Sequence, residues 1–574
     1  MSVPDVLRGG SYYRPPSSGG LRRVGMIAIV MLFAISLVSN LLMLAGPLFL
    51  LQVYDRVLTS RSMSTLVALI VIITAVYAFY ALIETVRFRM AARVAHLVDH
   101  ALGPMLFEAG VRSRLTTASQ SDFVRDGDSL RAFLAGSGPL SLLDLPWVPI
   151  YLFVIFVIHP LLGWLAVGGA LLIVALMIVN ELVLRRPAKA VTMAAYDRQR
   201  QSDDARNNAE TVIAMGMGPE LARRWTARSV DMLGALRISS DRAALFSSLT
   251  KAVRLLLQSL VLGLGAYLVI HHDMTGGLMI AASVVTSRAL APVEQTIMQW
   301  RQFVSARQSW DRIKKAASAP PAYKRTMLPL PRQNLSVRNM AAGPPGGPAI
   351  IGNIHFDLEA GDGLGILGLS GSGKSSLART LCGVWATRAG ELRYDGALLG
   401  QYDLGQLGRT FGYLPQRADL FDGTVAENIA RFDNEARSED IIAAARLASA
   451  HELILSLPNG YETPVGAAGD NLSAGQRQRI GLARALYGDP FVVVLDEPNA
   501  NLDVEGDAAL TDAIRSVRNR GGIVIVVAHR PSAILAIDKL LFMRNGRQVA
   551  FGAKSDVLAQ ISGNNVQPIR VPSS

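Results

Sequence analysis

The chain has 574 residues, half of them apolar, a formal net charge of +12 and a single cysteine. Long uncharged apolar runs crowd roughly the first 300 positions and stop there, which excludes a wholly soluble protein and joins a membrane part to an ordinary α/β part. One cysteine excludes an internal disulfide, and basic residues that cluster between the hydrophobic runs speak for membrane topology rather than for a nucleic-acid surface.

Residues 1–22, with YYRPPSSGG, read as a disordered cytoplasmic tail. The next run, GMIAIVMLFAISLVSNLLMLAGPLFLLQV, is far longer than a signal-peptide core and lacks a clear cleavage site, so it predicts an uncleaved membrane helix. Apolar runs at 65–86, 146–159, 162–184, 247–270 and 276–298 bring the expected spans to six, the third and fourth joined by His159-Pro160. Arg87, Arg89, Arg93, Arg112, Arg114, Arg185, Arg186, Lys189 and Arg198 lie in two long polar segments, whereas HPLLGW and HHDMTGG carry no Lys or Arg. Only VYDRVLTSRS, with Arg56 and Arg61, departs from this asymmetry, which places both termini in the cytoplasm.

The polar segments 87–143 and 185–245 are mixed-charge and broadly helical, so membrane helices are expected to run on into the cytoplasm, turn and return. On the sixth span Arg288, Pro292, Gln295, Gln299 and Gln302 share one helical face. That face meets either a hydrogen-bonding cavity, which suits a polypeptide, or cytoplasmic solvent. Glu294 falls off it and is expected to pair with a neighbour. AASAPPAYKRTMLPLPRQN reads as a linker.

Strand and helix signals alternate from 335 onward. GDGLGILGLSGSGKSSLARTLCG is a strand, a glycine loop and a helix, and Gly368, Gly373, Lys374 and Ser375 fit G-x-x-x-x-G-K-[ST] in that context. Gly368, Ser370, Gly371, Ser372, Gly373, Lys374, Ser375 and Ser376 form the candidate nucleotide-binding set. The glycines let backbone N–H groups close around phosphates, Lys374 neutralises β/γ charge, and the Ser375 hydroxyl suits Mg²⁺. Cys382 in the following helix reads as a small buried hydrophobe, since no thiol-activating neighbour is visible. Gln416, after a short strand in GYLPQRADLF, can reach Mg²⁺ or a lytic water. NLSAGQRQRIGLARALYGDP opens a helix on a second turn suited to an anion. The run Val492–Leu495 reads as a buried parallel strand with Asp496 at its carboxyl end for Mg²⁺ and Glu497 next to it for polarising water. GGIVIVVAHRP brings His529 to the same edge, as a γ-phosphate contact or as a structural histidine.

Taken together these motifs resemble the ATP-binding cassette of ABC transporters over 335–560: phosphate loop, glutamine loop at Gln416, LSAGQ, VVVLDE, an NLD turn ending at Asp503, and His529. The resemblance implies a homodimer whose cassettes pair head to tail, with Ser473, Gly475 and Gln476 of one chain at the γ-phosphate held by the other. Three positions depart from the family's pattern. Ala474 replaces the first of two glycines, which is tolerable where the backbone angle permits a Cβ. NMAAGPPGGPA lacks the aromatic that commonly stacks on adenine, and Ala467 stands where many exporters carry a glutamate.

Six spans with two cytoplasmic excursions ahead of a cassette look like an ABC exporter protomer, and RNNAETVIAMGM at 206–217 resembles the intracellular turn whose short helix docks on the cassette. GPLFLLQVYDRVLTSRS, LLDLPWVPIYLFVIF and SRALAPVEQTIMQW resemble the permease–ATPases of type I secretion, in the group without an N-terminal peptidase domain that serves RTX-type proteases, lipases and adhesin-like proteins. No extra domain is expected ahead of the first span. The implied fold is an α-helical six-span membrane domain plus an α/β P-loop NTPase domain, multi-pass in a bacterial inner membrane. Its expected divisions are a tail at 1–22, a transmembrane domain at 23–315, a linker at 316–334, a nucleotide-binding domain at 335–560 and a tail at 561–574. The implied activity is ATP hydrolysis, with ATP and Mg²⁺, coupled to export of an unfolded polypeptide with a C-terminal signal. The implied partners are a periplasmic adaptor, an outer-membrane channel, the secreted polypeptide and membrane lipid, with no nucleic acid. An exporter of lipids or small amphiphiles is the alternative. A third reading, an ATP-gated sensor or channel, would tolerate loss of Glu497, which this chain retains.

Overall fold

The computed structural model describes residues 18–116, 123–318, 328–466, 469–500, 504–528 and 534–563. The tails and linker expected at 1–22, 561–574 and 316–334 fall partly outside the described residues, and Ala467, Asp503 and His529 fall outside them altogether. Two compact units divide near Ala317.

The first unit contains six helices long and apolar enough to cross a membrane. The spans are Gly25–Ser60, Met63–Ser113, Gly138–Ile158, Pro160–Asn207, Gly218–Ile270 and Gly276–Lys315. Their main helices are α1 (Ser18–Met43), α2 (Met63–Thr116), α3 (Val148–Ile158, the closing part of the third span), α4 (Pro160–Asn207), α5 (Gly218–Ile270) and α6 (Gly276–Ser318). Large apolar side chains such as Met26, Val71, Leu171 and Ile270 are exposed, as lipid-facing positions require. α3 stops at His159, whose extended backbone (φ −161°, ψ 132°) and Nδ1, accepting from Leu161 N, cap α4 ahead of Pro160. α2, α4, α5 and α6 run on well beyond their apolar stretches. The turn between α4 and α5 carries a short helix, Ala209–Ala214, followed by Met215; Ile213 is 80% exposed and Met215 71%.

Buried ionised groups are costly unless paired and hydrogen-bonded. Here one such group ties three helices together. Arg87 on α2, 3% exposed, donates to Asp144 Oδ2 at 2.7 Å and to Leu140 O at 2.8 Å, and pairs with Glu84 at 3.3 Å. Asp144 also accepts from Ser36 and Asn40 of α1 at 2.5 and 2.9 Å, and Tyr151 of α3 donates to Asn40 O at 2.8 Å. Glu294 pairs with Arg254 of α5 at 2.9 Å, the neighbour expected for it. Past the end of α1, Asp55 accepts from Gly277 N at 2.8 Å and Thr275 Oγ1 at 2.5 Å, so it caps α6. Along the polar face of α6, Arg288 and Gln295 are exposed and Pro292 is buried. Gln299 donates to Ser137 Oγ at 3.1 Å, and Gln302 lines a cavity of about 420 Å³ with Arg301 and Gln308.

The second unit is built on a ten-stranded sheet among the described residues. Its strands are β1 (Asn334–Ala342), β2 (Ile351–Glu359), β3 (Gly363–Gly368), β4 (Thr387–Tyr394), β5 (Ala397–Leu398), β6 (Phe411–Leu414), β7 (Val492–Asp496), β8 (Ile523–Val527), β9 (Lys539–Arg544) and β10 (Arg547–Ala553). Their order is β5-β4-β1-β2-β10-β9-β3-β8-β7-β6. β9, β3, β8, β7 and β6 are mutually parallel, while β1 pairs antiparallel with β2 and β4. Every residue of β7 and β8 is buried, which explains their unbroken Val/Ile/Leu runs. A parallel sheet with crossover helices collects ligands at the carboxyl ends of its strands, and Gly368, Asp496 and the segment leading to Gln416 all end there.

Candidate functional site

β3 ends in Gly368 and α7 (Lys374–Leu381) begins six residues later. The loop between them closes tightly because its glycines accept what other residues cannot. Gly368 has φ +153° and a Cβ there would lie 2.3 Å from Met543 O; Gly373 has φ +96° and its Cβ would lie 2.6 Å from Ile351 Cγ2. Lys374 Nζ bends back to donate to Gly368 O at 2.9 Å and Leu369 O at 3.0 Å, so the ammonium lies across the loop mouth. Burial lowers its pKa, with Glu497 and Asp496 pulling the other way. Ser372 is buried and its Oγ has no partner among the described residues, a donor left for a phosphate oxygen. Ser370, Gly371 and Ser376 lie on the same loop and first turn of α7.

Asp496, 1% exposed, accepts from Ser375 Oγ at 3.1 Å. Burial pushes its carboxyl above the ordinary carboxylate range, and the Ser375 hydrogen bond only partly offsets this. Glu497 follows with φ +52°, an uncommon left-handed backbone for a side chain of its size, and its N–H donates to Val527 O at 3.0 Å. Its Oε2 accepts from Gln416 Nε2 at 3.0 Å. The structure thus brings Lys374, Ser375, Asp496, Glu497 and Gln416 to one sheet edge from β3, β7 and β6. β8 runs between β3 and β7 toward that edge, and His529 beyond it lies outside the described residues.

Ser473 is the N-cap of α8 (Ala474–Leu486). Its Oγ accepts from Gln476 N at 3.2 Å while Gln476 Oε1 accepts from Ser473 N at 2.8 Å, a reciprocal capping box. Ala474 takes the first helical position with no positive φ, so the extra methyl is accommodated. Ser473 and Ala474 are exposed, and the hydrogen bonds described for Ser473 stay within its own turn, none of them reaching the phosphate loop. Burial pushes the Cys382 thiol up, away from reactivity.

The sequence did not single out Gln478, which is 1% exposed and donates to Pro498 O at 3.0 Å, joining α8 to the residue after Glu497. Nor did it single out Arg431 and Arg484, whose partners are backbone carbonyls that no side-chain pattern announces.

The family model for the ABC transporter transmembrane region matches residues 29–292, and that for the ABC transporter matches 351–500. A type I secretion system ATP-binding protein of Rhizobium meliloti is 47% identical over 92% of this chain and 91% of its own length. A toxin RTX-I translocation ATP-binding protein of Actinobacillus pleuropneumoniae is 29% identical over 92% of this chain and 76% of its own. A cyclolysin secretion/processing ATP-binding protein of Bordetella pertussis is 30% identical over 92% and 75% respectively. The solved structure of a bacterial Atm1-family ABC exporter with ATP bound superposes with a TM-score of 0.81 at 21% identity, over 96% of this chain and all of that one.

Proposed function

The chain belongs to the ABC transporter family, membrane region and ATPase in one polypeptide, and from that premise we infer that it is the energising component of a type I secretion system. It hydrolyses ATP to export an unfolded polypeptide, one with a C-terminal signal, across the inner membrane. The observation that carries this reading is near-full-length similarity to a type I secretion ATP-binding protein, supported by the convergence of Lys374, Ser375, Asp496, Glu497 and Gln416 at one sheet edge. Export of lipids or small amphiphiles is not favoured, since the similar proteins are named for secretion, RTX-I toxin and cyclolysin.

In this reading the loop from Gly368 to Ser376 holds the triphosphate through its N–H groups, and Lys374 exchanges its two carbonyl partners for β/γ-phosphate oxygens. Ser375, Asp496 and Gln416 offer the hydroxyl, carboxylate and amide oxygens that Mg²⁺ takes, where it would neutralise phosphate charge. Glu497 accepts a proton from the attacking water, and Gln416, bonded to it, orients that water. His529 contacts the γ-phosphate. Ser473, Gly475 and Gln476 complete the site of a second copy, so two chains share two nucleotides and ATP closes the pair. The short helix Ala209–Ala214, with Ile213 and Met215 exposed, carries that closure to the membrane helices. Both termini are cytoplasmic, and a periplasmic adaptor and an outer-membrane channel continue the route.

The test is ATP turnover of the purified protein in lipid, with and without a C-terminal fragment of an RTX-type protein. A change in rate at low fragment concentration, without one from lipids or amphiphiles, supports a polypeptide cargo. Stimulation by an amphiphile alone refutes it.

A further inference from the structure

The carboxyl end of α8 lies against the segment that carries Gln416. Gly412 of β6 is glycine because a Cβ there would lie 2.1 Å from Ala485 O, and Gly481 because its Cβ would lie 3.0 Å from Ala418. Two guanidinium groups bridge this contact. Arg431 donates from Nε to Arg484 O at 3.0 Å, from Nη2 to Ala485 O at 3.2 Å and from Nη1 to Gly408 O at 3.0 Å. Arg484 donates to Asp419 O at 3.0 Å and lies 5.7 Å over the Phe421 ring. Gly408 precedes β6 and Asp419 follows Gln416, so both ends of the Gln416 segment are held from one helix terminus.

Helix carboxyl ends expose unpaired carbonyls and a partial negative charge, which makes a cation there favourable. A planar fork with donors on three nitrogens reaches three separated carbonyls in fixed directions, which an ammonium with all its donors on one atom does less well. Arg431 takes left-handed backbone, φ +56°, to reach them. Burial and the charge of Arg484 push the Arg431 pKa down to about 10, so it stays cationic at neutral pH.

We propose that Arg431 and Arg484 are positioning residues that fasten the Gln416 segment to α8, so that displacement of the Ser473 turn by a partner's nucleotide moves Gln416 within its own site. The inference rests on the pairing of two chains described under the proposed function. It links two segments of one chain, Gln416 and the Ser473 turn, that in this reading serve different ATP molecules.

The test uses the full-length protein in lipid carrying Arg431→Lys, which keeps the charge but concentrates its donors on one nitrogen. Turnover is expected to fall about tenfold while ATP affinity, measured in a Glu497→Gln background, stays within about twofold. Combined with Gln416→Ala, the two losses are expected not to add, because Arg431 acts through Gln416. Arg484→Met, which lacks the contact to Asp419 O, carries the same expectation if Arg431→Lys does not fold. Unchanged turnover, a parallel loss of turnover and affinity, or additive losses overturn the proposal. Failure of ATP to pair Glu497→Gln chains overturns it together with the dimer reading, whereas intact pairing with additive losses overturns this proposal alone.

Discussion

Gln416 donates its side-chain amide to the carboxylate of Glu497 across 3.0 Å, although 81 residues separate them in sequence. The contact joins the loop after β6 to the end of β7, the two strands at one margin of the parallel sheet. A carboxylate steered by an amide is well placed to take a proton from water, and general-base catalysis of this kind contributes about 10²–10⁴-fold. Glu497→Gln is therefore expected to slow ATP turnover by at least about 10²-fold while ATP-bound dimers accumulate. Phosphate release and size-exclusion chromatography with ATP check this; turnover at the native rate would remove Glu497 from its role.

Lys374 is the sole ammonium described at the loop mouth, and its partners in the structure are two carbonyls, which phosphate oxygens would replace in the proposed reading. Lys374→Ala is expected to weaken ATP binding at least about tenfold, from loss of charge-assisted hydrogen bonds, and to abolish export. Titration with a fluorescent ATP analogue and a secretion assay in cells measure the two effects. Undiminished export would refute the phosphate-loop assignment.

Asp496 predicts an opposition between stability and activity. Its carboxyl titrates above the ordinary range because burial disfavours the charge. In nucleotide-free protein that charge is destabilising. The penalty is absent below the ordinary carboxyl pKa, where folded and unfolded chains are both protonated, and it accumulates as pH rises to the raised value. Asp496→Asn should therefore raise the melting temperature of the nucleotide-free protein at neutral pH, lose that gain in acid, and abolish turnover. Melting curves across pH give the answer; a variant that melts lower at neutral pH contradicts it.

In the membrane unit, Arg87 and Asp144 form the buried pair to break. Arg87→Met leaves Asp144 and Glu84 without their cation and is expected to cost about 3–5 kcal/mol. Replacing Asp144 as well, with Asn, should recover part of the loss. Thermal denaturation in detergent distinguishes the single variant from the double; equal stability of Arg87→Met and the native chain would show that the pair contributes little.

Much of the nucleotide edge was legible in sequence because its chemistry depends on local spacing. Gly368 and Gly373 announce themselves by their spacing in one short loop, although the atoms that leave no room for a Cβ there, Met543 O and Ile351 Cγ2, come from other strands, and Asp496 follows a strand whose burial its own side chains declare. The six spans were legible for the same reason, since a membrane helix is apolar along its length. What was not legible depends on distance. Arg87 meets Asp144 57 positions away, and Asp55 caps a helix whose N–H lies 222 positions away. The polar stripe on α6 was legible as a stripe, but its residues divide among solvent, Ser137 and a cavity only once neighbouring helices are in place.

The position of β6 at the end of the sheet has its own consequence. β3 is flanked by β8 and β9, so its backbone is held by ladders on both sides, whereas β6 pairs with β7 alone. Amide protons on the open side of β6 are held by no neighbouring strand, and hydrogen exchange there should outpace exchange in β3. In the proposed reading, Gln416 thus hangs from the most loosely anchored strand of the parallel set, while the phosphate loop proposed to grip the nucleotide follows a strand held on both sides. Grip and sensing are separated by mechanical stiffness, and a single sheet supplies both.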